Sequence, residues 1–299
     1  MGAQSTCAGS RRPKRRDQGK RLLESLLNGV NHPLVVVKGG GDLASGVAHR
    51  LHQVGFSVLI LELARPLTVR RTVAFASAML EGQIVVEGVC ARRVLDLGSA
   101  SQCMSRGEIA VMDDARAGVV AEARPAALVD AIMAKANIGT RITDAPIVVG
   151  LGPGFTAGDD VHAVVETNRG HHLGRVYYQG GAEADTDEPS SVQGYTHERV
   201  LRAPAEGEFH SACEIGQMVA TGTVVGRVDG QPVLAAIGGV VRGLIASGTI
   251  VRAGWKIGDI DPRCDVEHCF TISDKSRAVA GGVLEAILHC AQRRPKAPA

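Results

Sequence analysis

Between Lys38 and Ser45 the chain reads Lys38-Gly39-Gly40-Gly41-Asp42-Leu43-Ala44-Ser45, and Glu62 stands where the next apolar run ends. Gly39, Gly41 and Ala44 fit the G-x-G-x-x-A pattern, in which small residues allow a tight turn and seat a pyrophosphate on a helix N-terminus. A carboxylate about 20 residues further on is the group that receives a ribose hydroxyl, and Glu62 holds that place. Lys38, Gly40, Asp42 and Ser45 supply the polar surface of the same turn. Arg70 and Arg71 follow Pro66 and would suit a 2′-phosphate or a pterin phosphate. Gly152 and Gly154 lie in a second glycine turn, Gly150-Leu151-Gly152-Pro153-Gly154. The competing reading is a tight turn that only shapes the backbone, with Glu62 a solvated strand end.

A second group gathers His162, Glu166, Arg169, His171 and His172. Arginine and histidine beside a glycine rim fit a nucleotide phosphate, a pterin phosphate or an oxyanion such as selenite. His171 is the candidate catalytic residue of this group, and Glu166 and Arg169 are candidate ligand contacts. In an extended strand His162 and Glu166 would share a face. Cys269 is the other candidate catalytic residue: just ahead of a helix N-terminus its thiol pKa would fall, and a thiolate can carry sulfur or selenium as a persulfide-type adduct. Cys264, His268 and Cys269 approach metal-ligand spacing, but adjacent His268 and Cys269 do not converge on one tetrahedral ion, so no metal site is expected. Asp113-Asp114 is a pair that could meet Mg²⁺ beside a phosphate.

These residues need elements to hold them. Leu34 to Val37 is a β-branched run bounded by glycine, as a buried parallel strand is. A helix follows the glycine turn and Phe56 to Leu61 makes the next strand. Thr72 to Leu80 reads as helix, Gln83 to Val94 as strand interrupted at Glu87-Gly88, and Ile109 to Met112 as a short strand. Ala126 to Ala136 reads as an amphipathic helix and Ala145 to Leu151 as a buried strand. This alternation predicts a Rossmann-like α/β domain over 31–158 with a mostly parallel sheet, its ligands beyond the carboxyl ends of the strands. A connecting segment spans 159–198.

Residues 199–262 carry an internal repeat at constant spacing: Ala203 matches Ala235, Gly207 matches Gly239, Gly216 matches Gly248, and Gly222 matches Gly254. Two such copies predict a β barrel-sandwich hybrid of the biotinyl and lipoyl type. The hairpin joining them, Gly226 to Pro232, has no lysine, so covalent biotin or lipoate is excluded on chemistry. From 263 to 299 an N-cap signal at Ser273 opens a helix with Val279, Val283 and Ile287 on one face, expected to pack back on the first domain.

In 299 residues, 45% are hydrophobic and only 3% aromatic, so the cores must be aliphatic and stacking platforms for nucleobases are scarce. The net charge of +2 conceals a basic tail over 1–30, expected to be disordered, ahead of a slightly acidic remainder. No nucleic-acid role, no membrane span and a reducing cytoplasm are expected, the last from scattered, odd-numbered cysteines.

The motifs Lys38 to Gly46, Gly150 to Phe155, Glu166 to His171, Gly258 to Arg263 and Ile272 to Arg277 resemble those of the YqeB-type accessory proteins of selenium-dependent molybdenum hydroxylases. The resemblance covers about residues 33–290. One departure is Asp185-Thr186-Asp187-Glu188, where an asparagine- and glycine-rich loop is expected. The resemblance implies a maturation factor for a xanthine-dehydrogenase-like client enzyme, binding a nucleotide or molybdopterin-type cofactor. The residues themselves also admit an NAD(P)-dependent oxidoreductase using Gly39, Gly41 and Glu62, or a scaffold whose glycine turn is empty.

Overall fold

The computed structural model describes residues 32–186 and 188–293; the tail expected over 1–30 lies outside the described residues. In chain order the first layer comprises β1 (Leu34–Lys38), α1 (Asp42–Gln53), β2 (Ser57–Glu62), the short α2 (Ala78–Glu81), β3 (Gln83–Val86), β4 (Val89–Val94), α3 (Leu97–Ser105), β5 (Ile109–Asp113), the one-turn α4 (Val120–Ala123), β6 (Ala127–Asp130), β7 (Ile147–Leu151), β8 (Ala163–Val165) and β9 (Val176–Tyr177). The strands form one nine-stranded sheet in the order β3-β4-β5-β2-β1-β6-β7-β8-β9. Pairing is parallel from β4 to β8 and antiparallel only at the edges, where β3 and β9 lie.

Alternation along β1 divides the core. Val35 and Val37 enter the cluster under α1 and the C-terminal helix, while Val36 joins Leu59, Leu128 and Val148 on the other face. Both faces are covered, so the central strands are apolar throughout.

Three local expectations change. Ala126 to Ala136 is not a helix: Ala127–Asp130 is β6, paired in parallel with both β1 and β7. A strand buried on both faces has no periodicity to separate it from a helix, and pairing overrides the helix propensity of its alanines. Thr72 to Leu80 breaks into 3-10 turns at Arg71–Val73 and Phe75–Ser77 before α2. Gln83 to Val94 is a hairpin, turned by Glu87 and Gly88 at φ +44° and +81°. The sheet also continues past residue 158, through β8 and β9.

The second layer contains β10 (Val200–Arg202), β11 (Gly207–Ser211), β12 (Met218–Val219), β13 (Val224–Val228), β14 (Gln231–Leu234), β15 (Gly239–Leu244), β16 (Thr249–Val251) and β17 (Lys256–Asp261). They form two four-stranded antiparallel sheets, β10-β17-β15-β12 and β14-β13-β11-β16, around one core that is aliphatic apart from Phe209 and Cys213. The repeat maps β10–β13 onto β14–β17 and so carries one sheet onto the other. Its matched glycines share backbone conformation: φ is +148° at Gly207 and +158° at Gly239, +83° at Gly222 and +80° at Gly254.

The chain closes with α5 (Asp274–Arg293), which packs along α1 and against β7 and β8. Ser273 accepts the amide of Ser276 and caps it. The helices cross closely because a Cβ on Gly46 would come 2.7 Å from that of Ser276.

Candidate functional site

The carboxyl ends of β1, β2, β5 and β6 surround a cavity of about 530 Å³ lined by Lys38, Gly39, Gly41, Asp42, Glu62 and Asp114 among others. Its floor is the first turn of α1. Gly41 occupies the N-cap position, no side chain caps the helix, and a Cβ placed on Gly41 would meet nothing within 4 Å. The leading amides of a twelve-residue helix, at the positive end of its dipole, are therefore not taken by a capping side chain, and the one carboxylate of that turn, Asp42, lines the cavity while paired with Arg70. Gly39 adopts φ +86° because β1 must bend sharply here, over the backbone of Ala131.

Glu62 has a different job from the one its spacing implies. Its Oε2 accepts the Gly40 amide at 2.7 Å and its Oε1 accepts the Leu63 amide at 2.8 Å. Burial pushes its carboxyl above the usual carboxylate range, against the opposing pull of those two amides. Glu62 thus closes the glycine turn from inside and still lines the cavity.

Lys38 is not a free phosphate ligand. Its ammonium is buried, 3.0 Å from Asp130 Oδ2, and donates to Thr140 Oγ1 at 2.5 Å; that hydroxyl donates onward to Asp130 at 2.5 Å. Sequence reasoning missed Asp130 and Thr140. Reading 126–136 as helix hid Asp130, which ends a strand at the rim.

Ser45 is fully buried, donating to the Gly40 carbonyl and accepting the Phe75 amide, so it clamps the turn and touches no ligand space. Asp42 is held from two sides, by Arg70 at 2.7 Å and by the Ser276 hydroxyl at 2.9 Å. Arg70 also donates to the carbonyls of His268 and Thr271, which fastens the start of α1 to the segment before α5. Its Nε is buried without a hydrogen-bond partner among the described residues. Arg71 donates to the Leu244 carbonyl at 2.8 Å, and Leu244 itself donates to Val69, which docks β15 on the first layer. Both arginines expected to hold a phosphate are thus committed to the protein.

Gly152 and Gly154 lie just past the carboxyl end of β7 and are small for packing reasons: a Cβ there would approach Thr167 Oγ1 and Ala136 Cα, each at 2.6 Å. Glu166 is fully buried and accepts three amides, from Thr167, Asn168 and Glu183, which ties the long surface loop to β8. His162 is at the other end of β8, its Nδ1 accepting the Val148 amide. Arg169 makes a bidentate pair with Asp274, 2.7 Å on each arm. His171 is exposed and, among the described residues, meets the His172 ring edge-on.

Cys269 is corrected most plainly. It is fully buried, its Sγ faces the Val241 carbonyl, and burial raises its thiol pKa where a lowered one was expected. It precedes α5 in sequence, but the Phe270–Ser273 segment intervenes, so the helix dipole does not reach it. Asp114 accepts the Val119 amide and so caps a loop. Among the described residues, no cluster of three or more histidines, cysteines or carboxylates is placed to hold a metal ion.

No family model matches the chain. It is 48% identical over 257 residues to uncharacterized protein YqeB of Escherichia coli (strain K12), a match covering 86% of this chain and 48% of that protein. Over that length the chain is YqeB-type. It spans about half the length of that relative. Among solved structures, product-bound ectoine utilization protein EutE (DoeB) from Ruegeria pomeroyi is 11% identical, covering 77% of this chain and 85% of that one at a TM-score of 0.23. An aspartoacylase family protein from Mesorhizobium loti is 12% identical with the same coverage and a TM-score of 0.24. Likeness this slight carries no argument. Among the described residues, no helix is long and apolar enough to cross a membrane.

Proposed function

We propose that this YqeB-type chain is a cytoplasmic accessory factor for a selenium-dependent molybdenum hydroxylase, and that it holds a phosphate-bearing cofactor, nucleotide or molybdopterin-type, over the N-terminus of α1. The observation that carries the reading is the uncapped first turn of α1 opening into the cavity at Gly41. Main-chain amides at a helix start are fitted to phosphate oxygens. The apolar wall of Leu61, Leu63, Leu67, Ile132, Met133 and Ile138 suits a flat ring. In this reading the first layer is Rossmann-like and the paired four-stranded sheets are a barrel-sandwich hybrid serving as the docking unit for the client.

An NADP-dependent oxidoreductase is less well supported, because Arg70 and Arg71 already serve backbone carbonyls and Asp42. Glu62 retains a face on the cavity, so an NAD-like ribose contact remains the second reading. Anaerobic purification followed by mass spectrometry and elemental analysis for Mo and Se separates the two. Co-purifying pterin or selenium supports the accessory role, NAD(P) supports the oxidoreductase, and protein that neither retains nor binds any phosphate-bearing ligand in a calorimetric titration sinks both.

A further inference from the structure

Lys38, Lys135, Lys256 and Lys275 are the described lysines. Three have carboxylate partners: Lys38 with Asp130 at 3.0 Å, Lys135 with Asp185, and Lys256 with Asp259 at 3.6 Å. Lys275, at the start of α5, has no ion pair or hydrogen bond to its ammonium among the described residues. It is half-buried and faces a separate cavity of about 290 Å³ beyond β7 and β8, divided from the larger one by Met133.

We propose that Lys275 is the reactive amine of a second ligand site, one that takes a small uncharged carbonyl compound. An ammonium without a counter-ion is poorly stabilised where burial strips part of its hydration. Burial lowers its pKa first, and the charges of Arg169 and then Lys256 push the same way, against Asp42 and Glu166. More of it is therefore free amine near neutrality than in an exposed lysine, and the free amine is the nucleophile. The cavity wall argues against an anion as ligand. Glu183, Asp185 and Glu188 outnumber Lys135 and Lys275 there, and the helix start beside it is capped by Ser273, so a negative ligand lacks the open amides that Gly41 leaves over α1 and a neutral carbonyl needs none.

The step balances without a further reagent. The ammonium first yields a proton to solvent, and the nitrogen lone pair forms a bond to the carbonyl carbon. The carbonyl oxygen leaves as water, carrying two protons, and a protonated imine remains on Lys275.

Reductive alkylation tests this. The full chain is treated with limiting acetaldehyde and sodium cyanoborohydride across pH 6 to 9, and ethylated peptides are quantified by mass spectrometry. Lys275 is expected to react about tenfold faster than Lys135 or Lys256, with its rate levelling at a lower pH than theirs. Arg169→Gln removes a neighbouring positive charge and should slow Lys275 alone at neutral pH, an effect that accessibility by itself would not produce. Labelling in order of exposure, with Lys275 behind Lys135 and Lys256, overturns the proposal, as does an Arg169→Gln variant with an unchanged Lys275 rate. The test reads the amine directly, so its outcome is independent of whether a phosphate sits over α1.

Discussion

The carboxylate of Glu62 accepts the main-chain amide of Gly40 at 2.7 Å, so the acid ending β2 locks the turn ending β1. Two neighbouring parallel strands are joined at their tips by a side chain, and the geometry of the anion-facing turn depends on it.

Burial of this carboxyl, which outweighs the pull of the two amides it accepts, has a pH signature. The folded-state pKa of Glu62 is raised, so the native protein binds more protons than the unfolded chain once pH exceeds the unfolded carboxylate value of 4.5. The stability tied to the protonated form is complete below that pH and is lost as pH rises through the folded value. Glu62→Gln should flatten this part of the stability curve, read from urea midpoints between pH 4 and 7. Glu62→Ala leaves the buried Gly40 amide unpaired and should cost about 1–3 kcal/mol.

Gly40 and Gly41 should separate folding from binding. A Cβ on Gly40 would lie 2.9 Å from the Ala76 nitrogen, whereas Gly41 has open space and extended backbone at φ −68°. Gly40→Ala should lower the melting temperature by several degrees, as about 1–3 kcal/mol of overpacking does in a small domain. Gly41→Val should melt close to the parent yet weaken nucleotide affinity by about tenfold or more, since its methyl groups enter the cavity mouth. Equal affinity for the parent and Gly41→Val in a calorimetric titration would move the phosphate elsewhere.

Lys38 and Asp130 form a buried pair with side chains 9% and 2% exposed. Lys38→Met strands a buried carboxylate and should cost about 3–5 kcal/mol in denaturant unfolding. Adding Asp130→Leu should recover much of that loss. A double variant no more stable than the single would mean the two are not coupled.

Arg70 binds Asp42 and two carbonyls that precede α5, all from one guanidinium. Arg70→Lys keeps the charge but cannot reach three acceptors in a plane, so a loss of about 2 kcal/mol is expected. Hydrogen exchange should show the added opening at residues 268–276 and the first turn of α1, with the β10–β17 core unchanged.

Much of the scaffold is legible from residues alone, because glycine turns and β-branched runs are local signals. Leu34–Lys38, the glycine turn and α1 follow from them, and so does the repeat, whose copies occupy equivalent strands. Partnerships across the sheet are not local. Ser45, Arg70 and Arg71 have types suited to phosphate, yet the chain folds the carbonyls of Gly40, Thr271 and Leu244 against them and consumes their donors. Burial of Cys269 depends on β15, far away in sequence, so its thiol chemistry could not be read from the residues beside it. Lys275 offered no signal except its place in the helix-start motif, since the lack of a counter-ion is visible only in three dimensions.

The interleaving of the two repeats has one more consequence. Each four-stranded sheet draws two strands from either copy, so a polypeptide ending at the Asp229-Gly230 hairpin would own half of two sheets and the whole of neither. A lone copy could satisfy its open edges only by embracing an identical chain, and the present tandem is what such a symmetric pair becomes when its two members are fused end to end.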